Sequence, residues 1–220
     1  GKVITGYKTS EKIKDKDFKL FVQWLYLMKS SNNATFSTYE TFIRNNSDFP
    51  RIGRLQYLAE QKIYLKNSSP KNIIKWFEEF PPVSGTGKLK LGEAYFDLKD
   101  INSSKKLVKE GWINADLSKS QLRFYRKKFK SILDSEDHIK RADYLAWNRK
   151  YWDLKRMLVY LPSDFKALYN ARQILMSNSY GVDNAIAKVP DRFKKDIGLE
   201  YDRLKWRNRR GRLESSLQIL

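Results

Sequence analysis

A segment near the end of this chain is written twice. Trp147 to Leu158 and Trp206 to Leu217 each carry a tryptophan, a basic polar stretch and then two leucines at i and i+4 spacing, Leu154 with Leu158 and Leu213 with Leu217. A helix end, a tight turn and a new helix, recurring after about two helical hairpins, are the mark of stacked repeats, because neighbouring units must bury equivalent faces. The feature constrains the chain to an all-α array whose first role is to be a scaffold.

The rest of the sequence agrees. Amphipathic segments of roughly 10 to 18 residues follow one another between short breakers, and no alternating strand pattern or Asn-Gly hairpin interrupts them. The spacing predicts a first helix over Glu11 to Lys29, with Phe18, Phe21, Val22, Leu25 and Met28 as its apolar stripe. Thr35 to Asn45 forms a second. A third carries Pro50 in its first turn and buries Leu55, Leu58, Ala59 and Ile63. Lys71 to Phe80 stops at Pro81-Pro82, and Gly85-Thr86-Gly87 opens the next helix, with Leu89, Leu91, Ala94 and Phe96. Further helices are expected over Ser103 to Trp112, Ser118 to Lys130, Ser135 to Asn148, Leu154 to Tyr160, Ser163 to Ser177, Val182 to Lys188 and Gly198 to Arg209, with Ser118 and Asp134 as N-caps. Leu213 to Leu220 reads as a last helix whose apolar side chains a capping repeat would not expose, so more chain is expected beyond it.

At 220 residues and 41% hydrophobic composition the chain has enough apolar material for a full core without staples. It has no cysteine, which excludes disulfides, thiolate metal sites and a thiol nucleophile. The longest apolar stretch, Phe18 to Met28, is too short for the roughly 20 residues of a spanning helix. A start at Gly1-Lys2-Val3 without methionine fits a processed or truncated polypeptide. The net charge of +19 attracts polyanions in a salt-dependent way, and nucleic acid, anionic lipid and acidic cell-wall polymer all qualify. Frequent Lys, Asn, Ile and Tyr, which AT-rich codons encode, offer a compositional origin for part of that charge.

Catalytic machinery is not visible. Glu78-Glu79 and Glu136-Asp137 are adjacent pairs that point about 100° apart on a helix and do not face one site. The single histidine, His138, follows two acids that would raise its pKa, and it reads as a packing or capping residue. Gly85-Thr86-Gly87-Lys88 lacks both the gap and the Ser or Thr of a phosphate loop. No cofactor or metal is expected. The candidate sites are two basic clusters: Arg123, Arg126 and Lys127 with Lys128 and Lys130, and Lys205, Arg207, Arg209 and Arg210 with Arg212 around Trp206. Either could meet a polyanion; the alternative is a solvated helix face backed by Phe124, Tyr125, Phe129 and Trp206 in the core. Aromatic residues beside cations also suit single-stranded nucleic acid, but no RNA-binding signature accompanies them.

Ordered segments across most of the chain carry a resemblance. They are Phe42-Ile43-Arg44-Asn45-Asn46-Ser47-Asp48-Phe49-Pro50-Arg51 with Ala59-Glu60, Phe80-Pro81-Pro82-Val83-Ser84-Gly85-Thr86-Gly87, and Leu91-Gly92-Glu93-Ala94. Trp112, Ala115-Asp116-Leu117-Ser118, Glu136-Asp137-His138 and Arg141-Ala142-Asp143 leading to Trp147 follow. Leu161-Pro162, Ala171-Arg172, Gly181-Val182-Asp183, Val189-Pro190, Gly198-Leu199, Tyr201-Asp202-Arg203, Trp206-Arg207 and Arg209-Arg210-Gly211 complete the set. Together these segments resemble the N-terminal superhelical domain of soluble lytic murein transglycosylases, cell-wall enzymes of Gram-negative bacteria.

The resemblance implies a superhelical α-α repeat, a right-handed solenoid curved into a horseshoe or partial ring, with a flexible lead at 1–14 and the scaffold over 15–220. It implies a periplasmic location and a downstream lysozyme-like domain that cleaves the MurNAc-GlcNAc β-1,4 bond to a 1,6-anhydro product, while this part holds glycan strands. In the family the catalytic glutamate lies in a Glu-Ser pair followed by Gly-Leu-Met-Gln. Glu214-Ser215 lacks that continuation, so no catalytic residue is assigned and the chain alone is not expected to be active. The alternative is a stand-alone helical-repeat adaptor for a protein partner or, behind it, a nucleic-acid binder.

Overall fold

The structure, a computed structural model, describes residues 5, 6, 9, 14–65, 68–177 and 180–211. Among these there are twelve full α-helices and no strand. The chain divides into two compact units, Gly1–Gly111 and Trp112–Leu220. Most of the expected lead, and the whole of Leu213 to Leu220 with Glu214-Ser215, lie outside the described residues.

The first unit contains α1 (Lys16–Leu27), α2 (Phe36–Asn45), α3 (Ile52–Lys62), α4 (Pro70–Glu79) and α5 (Gly85–Asp97), and α6 (Ile101–Asn114) begins in it. Helix starts follow local chemistry: Asp15, Thr35, Ser69 and Ser84 each accept an N–H from the first turn, and Pro70 supplies a preset φ where no donor is needed. Pro50 departs from expectation, since it lies before α3, and Arg51 at φ 60° forms the entry instead. The stripe predicted on α1 is also corrected. Phe18, Phe21 and Leu25 are exposed, whereas Tyr26 and Leu27 are buried and Leu20, Trp24 and Met28 pack on the core. Trp76 anchors that core between Phe36, edge-on at 5.4 Å, and Phe80, stacked at 4.3 Å. In this unit α2 pairs with α3, α4 pairs with α5, and α3 also packs on α5.

The second unit holds α7 (Lys119–Lys128), α8 (Ser135–Trp147), α9 (Tyr151–Met157), α10 (Ser163–Leu175), α11 (Val182–Ala187) and α12 (Ile197–Arg209), with 3-10 turns at Leu158–Tyr160 and Asp191–Phe193. Ser118 and Asp134 form capping boxes with Gln121 and Asp137, which satisfies two orphan N–H groups at each helix start. Here α8, α10 and α12 form a row in which each packs on the next, while α9 joins α8 and α10 and α11 joins α10. The two tryptophans of the written-twice segment occupy different places: Trp147 is the last residue of α8, two before the left-handed Arg149, whereas Trp206 lies inside α12, with the left-handed Gly211 further on.

Candidate functional site: a polar spine and groove beside helix α8

Each step of the second unit's row is locked by one charged side chain. Arg172 on α10 is 1% exposed and donates from Nε to Asp202 of α12 at 2.9 Å and from Nη1 to Asp143 of α8 at 3.0 Å. Its guanidinium also lies 4.9 Å from the Trp147 ring, and the Tyr169 hydroxyl donates to Asp143 at 3.3 Å. Burial pushes the Asp202 carboxyl up against the opposing pull of Arg172, and burial with the adjacent Asp143 raises the Tyr169 phenol. Gly198 is required where α12 crosses Arg172, since a Cβ there would sit 2.3 Å from the guanidinium carbon.

A second buried arginine does different work. Arg141 of α8 donates to the carbonyls of Trp112 and Ala115 (the latter at 3.0 Å) and so closes the C-terminal end of α6; its guanidinium lies 5.2 Å from the Trp112 ring. Burial pulls this side chain's pKa down to about 10.

Alongside the spine runs an open groove of about 510 Å³. One face of α8 supplies Ile139, Lys140, Asp143, Tyr144 and Trp147, and Asn148, Ile113 and Tyr169 complete the walls. Trp147 is 44% exposed, and Tyr201 of α12 lies against it at 5.4 Å. The Lys205 ammonium sits 4.9 Å from the Tyr201 ring, so of all the candidate cations it is Lys205 that extends this aromatic run.

The remaining cations are distributed elsewhere. Arg123, Arg126 and Lys127 are exposed on α7, where Arg126 lies 4.5 Å from the Tyr160 ring. Tyr125 and Phe129 are in the core beneath them, but Phe124 is 50% exposed rather than buried. Arg209 donates to the carbonyls of Leu175 and Met176 and thereby closes α10, Arg207 is half-buried, and the exposed Arg210 covers the half-buried Trp206 at 5.2 Å. α7 carries the first cluster and α12 with its C-cap Arg210 the second, so the two clusters lie on separate helices.

The acidic candidates are structural. Glu79 pairs with Arg44, Glu136 pairs with Lys140 at 2.7 Å, and Asp137 belongs to its capping box. His138 packs 5.4 Å from the Trp112 ring, and its pKa is lowered by burial and Arg126, against the rise expected from its acidic neighbours. At Gly85-Thr86-Gly87 the anion in attendance is the chain's own Glu60, which accepts from the Val83 N–H at 2.7 Å and from the Ser84 hydroxyl; Lys88 pairs with Glu110 at 2.7 Å. A Cβ at Gly87 would meet that carboxylate at 2.4 Å. Among the described residues no three His, Cys, Asp or Glu converge to hold a metal, and no helix is long and apolar enough to cross a membrane.

Sequence reasoning overlooked the spine, although its members stood among the quoted segments. The signal was a regular separation of opposite charges: Asp143 lies 29 residues before Arg172 and Asp202 30 after it. Compared with protein-family models, curated proteins and solved structures, the chain matches none.

Proposed function

We propose that this chain is a non-catalytic superhelical scaffold domain of a periplasmic peptidoglycan lytic transglycosylase, and that it holds and orients murein strands for a lysozyme-like domain of the same polypeptide. The observation that carries the reading is the row α8–α10–α12. Its alternate-helix packing is what stacked helical hairpins produce, and its interlocking contacts are made by Asp143, Arg172, Gly198 and Asp202, which belong to the family-like segments. The charge of +19 gives the scaffold long-range attraction for a polymer rich in carboxylates, and the exposed Arg123, Arg126, Lys127, Lys205 and Arg210 are placed to supply it.

The test is competition. Chain bound to purified sacculi should be displaced by soluble murein fragments and resist single-stranded DNA; displacement by DNA alone would overturn the reading in favour of a nucleic-acid binder. A protein-binding adaptor is the second reading, favoured by one observation: Trp152 on α9 and Val159 in the turn after it are 65% and 69% exposed.

A further inference from the structure

We infer that the groove beside α8 is a glycan subsite, in which a pyranose ring of an N-acetylated oligosaccharide rests on Trp147 while Asp143, Tyr144 and Asn148 take its hydroxyl and amide protons. The inference deepens the murein reading and rests on it for the identity of the natural strand.

Four observations lead there. First, the volume of about 510 Å³ falls within the range of roughly 300–1,000 Å³ typical of small-ligand sites. Second, the aromatic floor is held in place before any ligand arrives. Trp147 lies against a guanidinium that Asp143 and Asp202 both fix, and Tyr201 meets its ring from α12. A ring immobilised by its neighbours loses little entropy when a flat apolar sugar face covers it.

Third, the polar groups around that floor are mainly acceptors. Asp143 uses Oδ1 for Arg172 and Tyr169, which leaves Oδ2 on a side chain 45% exposed. Asn148 donates its amide to the Tyr144 carbonyl at 2.8 Å, which leaves its oxygen to accept. A ligand with many O–H and N–H donors satisfies these atoms, whereas a phosphate would meet the Asp143 carboxylate as a like charge. Fourth, Lys140 in the groove is paired with Glu136, and the basic cluster on α7 contributes none of the lining residues. Charge therefore brings an acidic polymer to the molecule, and the groove reads its neutral sugar rings.

The experiment titrates the full chain with the uncharged N-acetylglucosamine tetramer and follows the Trp147 indole N–H by NMR, assigned with Trp147→Phe. We expect that resonance to move saturably. Tyr144→Phe, which keeps the packing, should weaken binding by about tenfold, the loss of one hydrogen bond to the ligand, with an unchanged thermal midpoint, and Asp143→Asn, which also loosens the Arg172 pair, should weaken it at least as much. A motionless Trp147 resonance at millimolar tetramer, or undiminished binding by both variants, overturns the subsite. Tetramer binding as predicted without retention on sacculi supports the subsite and removes the murein reading. Retention on sacculi without tetramer binding does the reverse.

Discussion

Gly198 and Gly53 separate two roles that a sequence writes with the same letter. A Cβ at Gly198 would lie 2.3 Å from the Arg172 guanidinium, whereas one at Gly53, in the first turn of α3, meets nothing within 4 Å. Gly198→Ala should therefore cost about 1–3 kcal/mol in urea unfolding, as overpacking of a fixed charged pair does. Gly53→Ala should add about 0.5–1 kcal/mol by removing backbone freedom from the unfolded chain. Equal effects would contradict the spine. His138 gives a pH test with a definite sign. Its folded pKa is held below 6.5 by burial and then by Arg126, so the unfolded chain takes the proton first. Stability is then fully present above pH 6.5 and is lost as pH falls through the folded pKa. Denaturation midpoints measured over that range should fall more steeply on acidification for the native chain than for His138→Phe.

At the scale of elements, local chemistry was legible and facing was not. Ser118 with Gln121, Asp134 with Asp137 and Ser69-Pro70 announce helix starts because the capping bond closes within four residues. The facing of α1 was misread because nearly every side of it carries an apolar residue, and only tertiary contacts decide which side is covered: Trp24 meets the Phe49 ring at 6.0 Å and gives its indole N–H to the Pro50 carbonyl at 2.9 Å. The groove was illegible for the same reason, since it draws residues from three helices, and the spine left only a spacing of charges in the sequence. Two helix ends carry unusual residues. α5 and α8 close in Schellman turns, with Asp100 N–H on Tyr95 and Lys150 N–H on Leu145, yet the left-handed positions are Lys99 and Arg149 instead of glycine. Arg149 also donates to the Met176 carbonyl at 3.3 Å, which gives its side chain a tertiary role. Lys99 is the cleaner test: Lys99→Gly should raise stability by about 1 kcal/mol in chemical denaturation, and a loss would show that the side chain contributes more than its backbone strain costs.

Across the whole molecule, the sequence shows an excess of positive charge, and the structure shows how differently those charges are used. Arg141 and Arg209 close helix ends, Arg172 binds three helices together, and Arg123, Arg126, Lys127 and Lys205 remain exposed to solvent. The exposed charges, Arg210 among them, act at a distance, and their reach shrinks with ionic strength, from roughly 10 Å at 0.1 M salt to 3 Å at 1 M. The composition could not make that division, because burial of an arginine depends on carbonyls and carboxylates remote in sequence. The most direct test of the scaffold reading is retention of the chain on purified sacculi across a salt series, beside a variant carrying Arg123→Glu, Arg126→Glu and Lys127→Glu. The account predicts retention at low salt, release as salt rises, and a variant released at lower salt than the native chain; no retention at any salt, or retention that neither salt nor charge reversal alters, would contradict it.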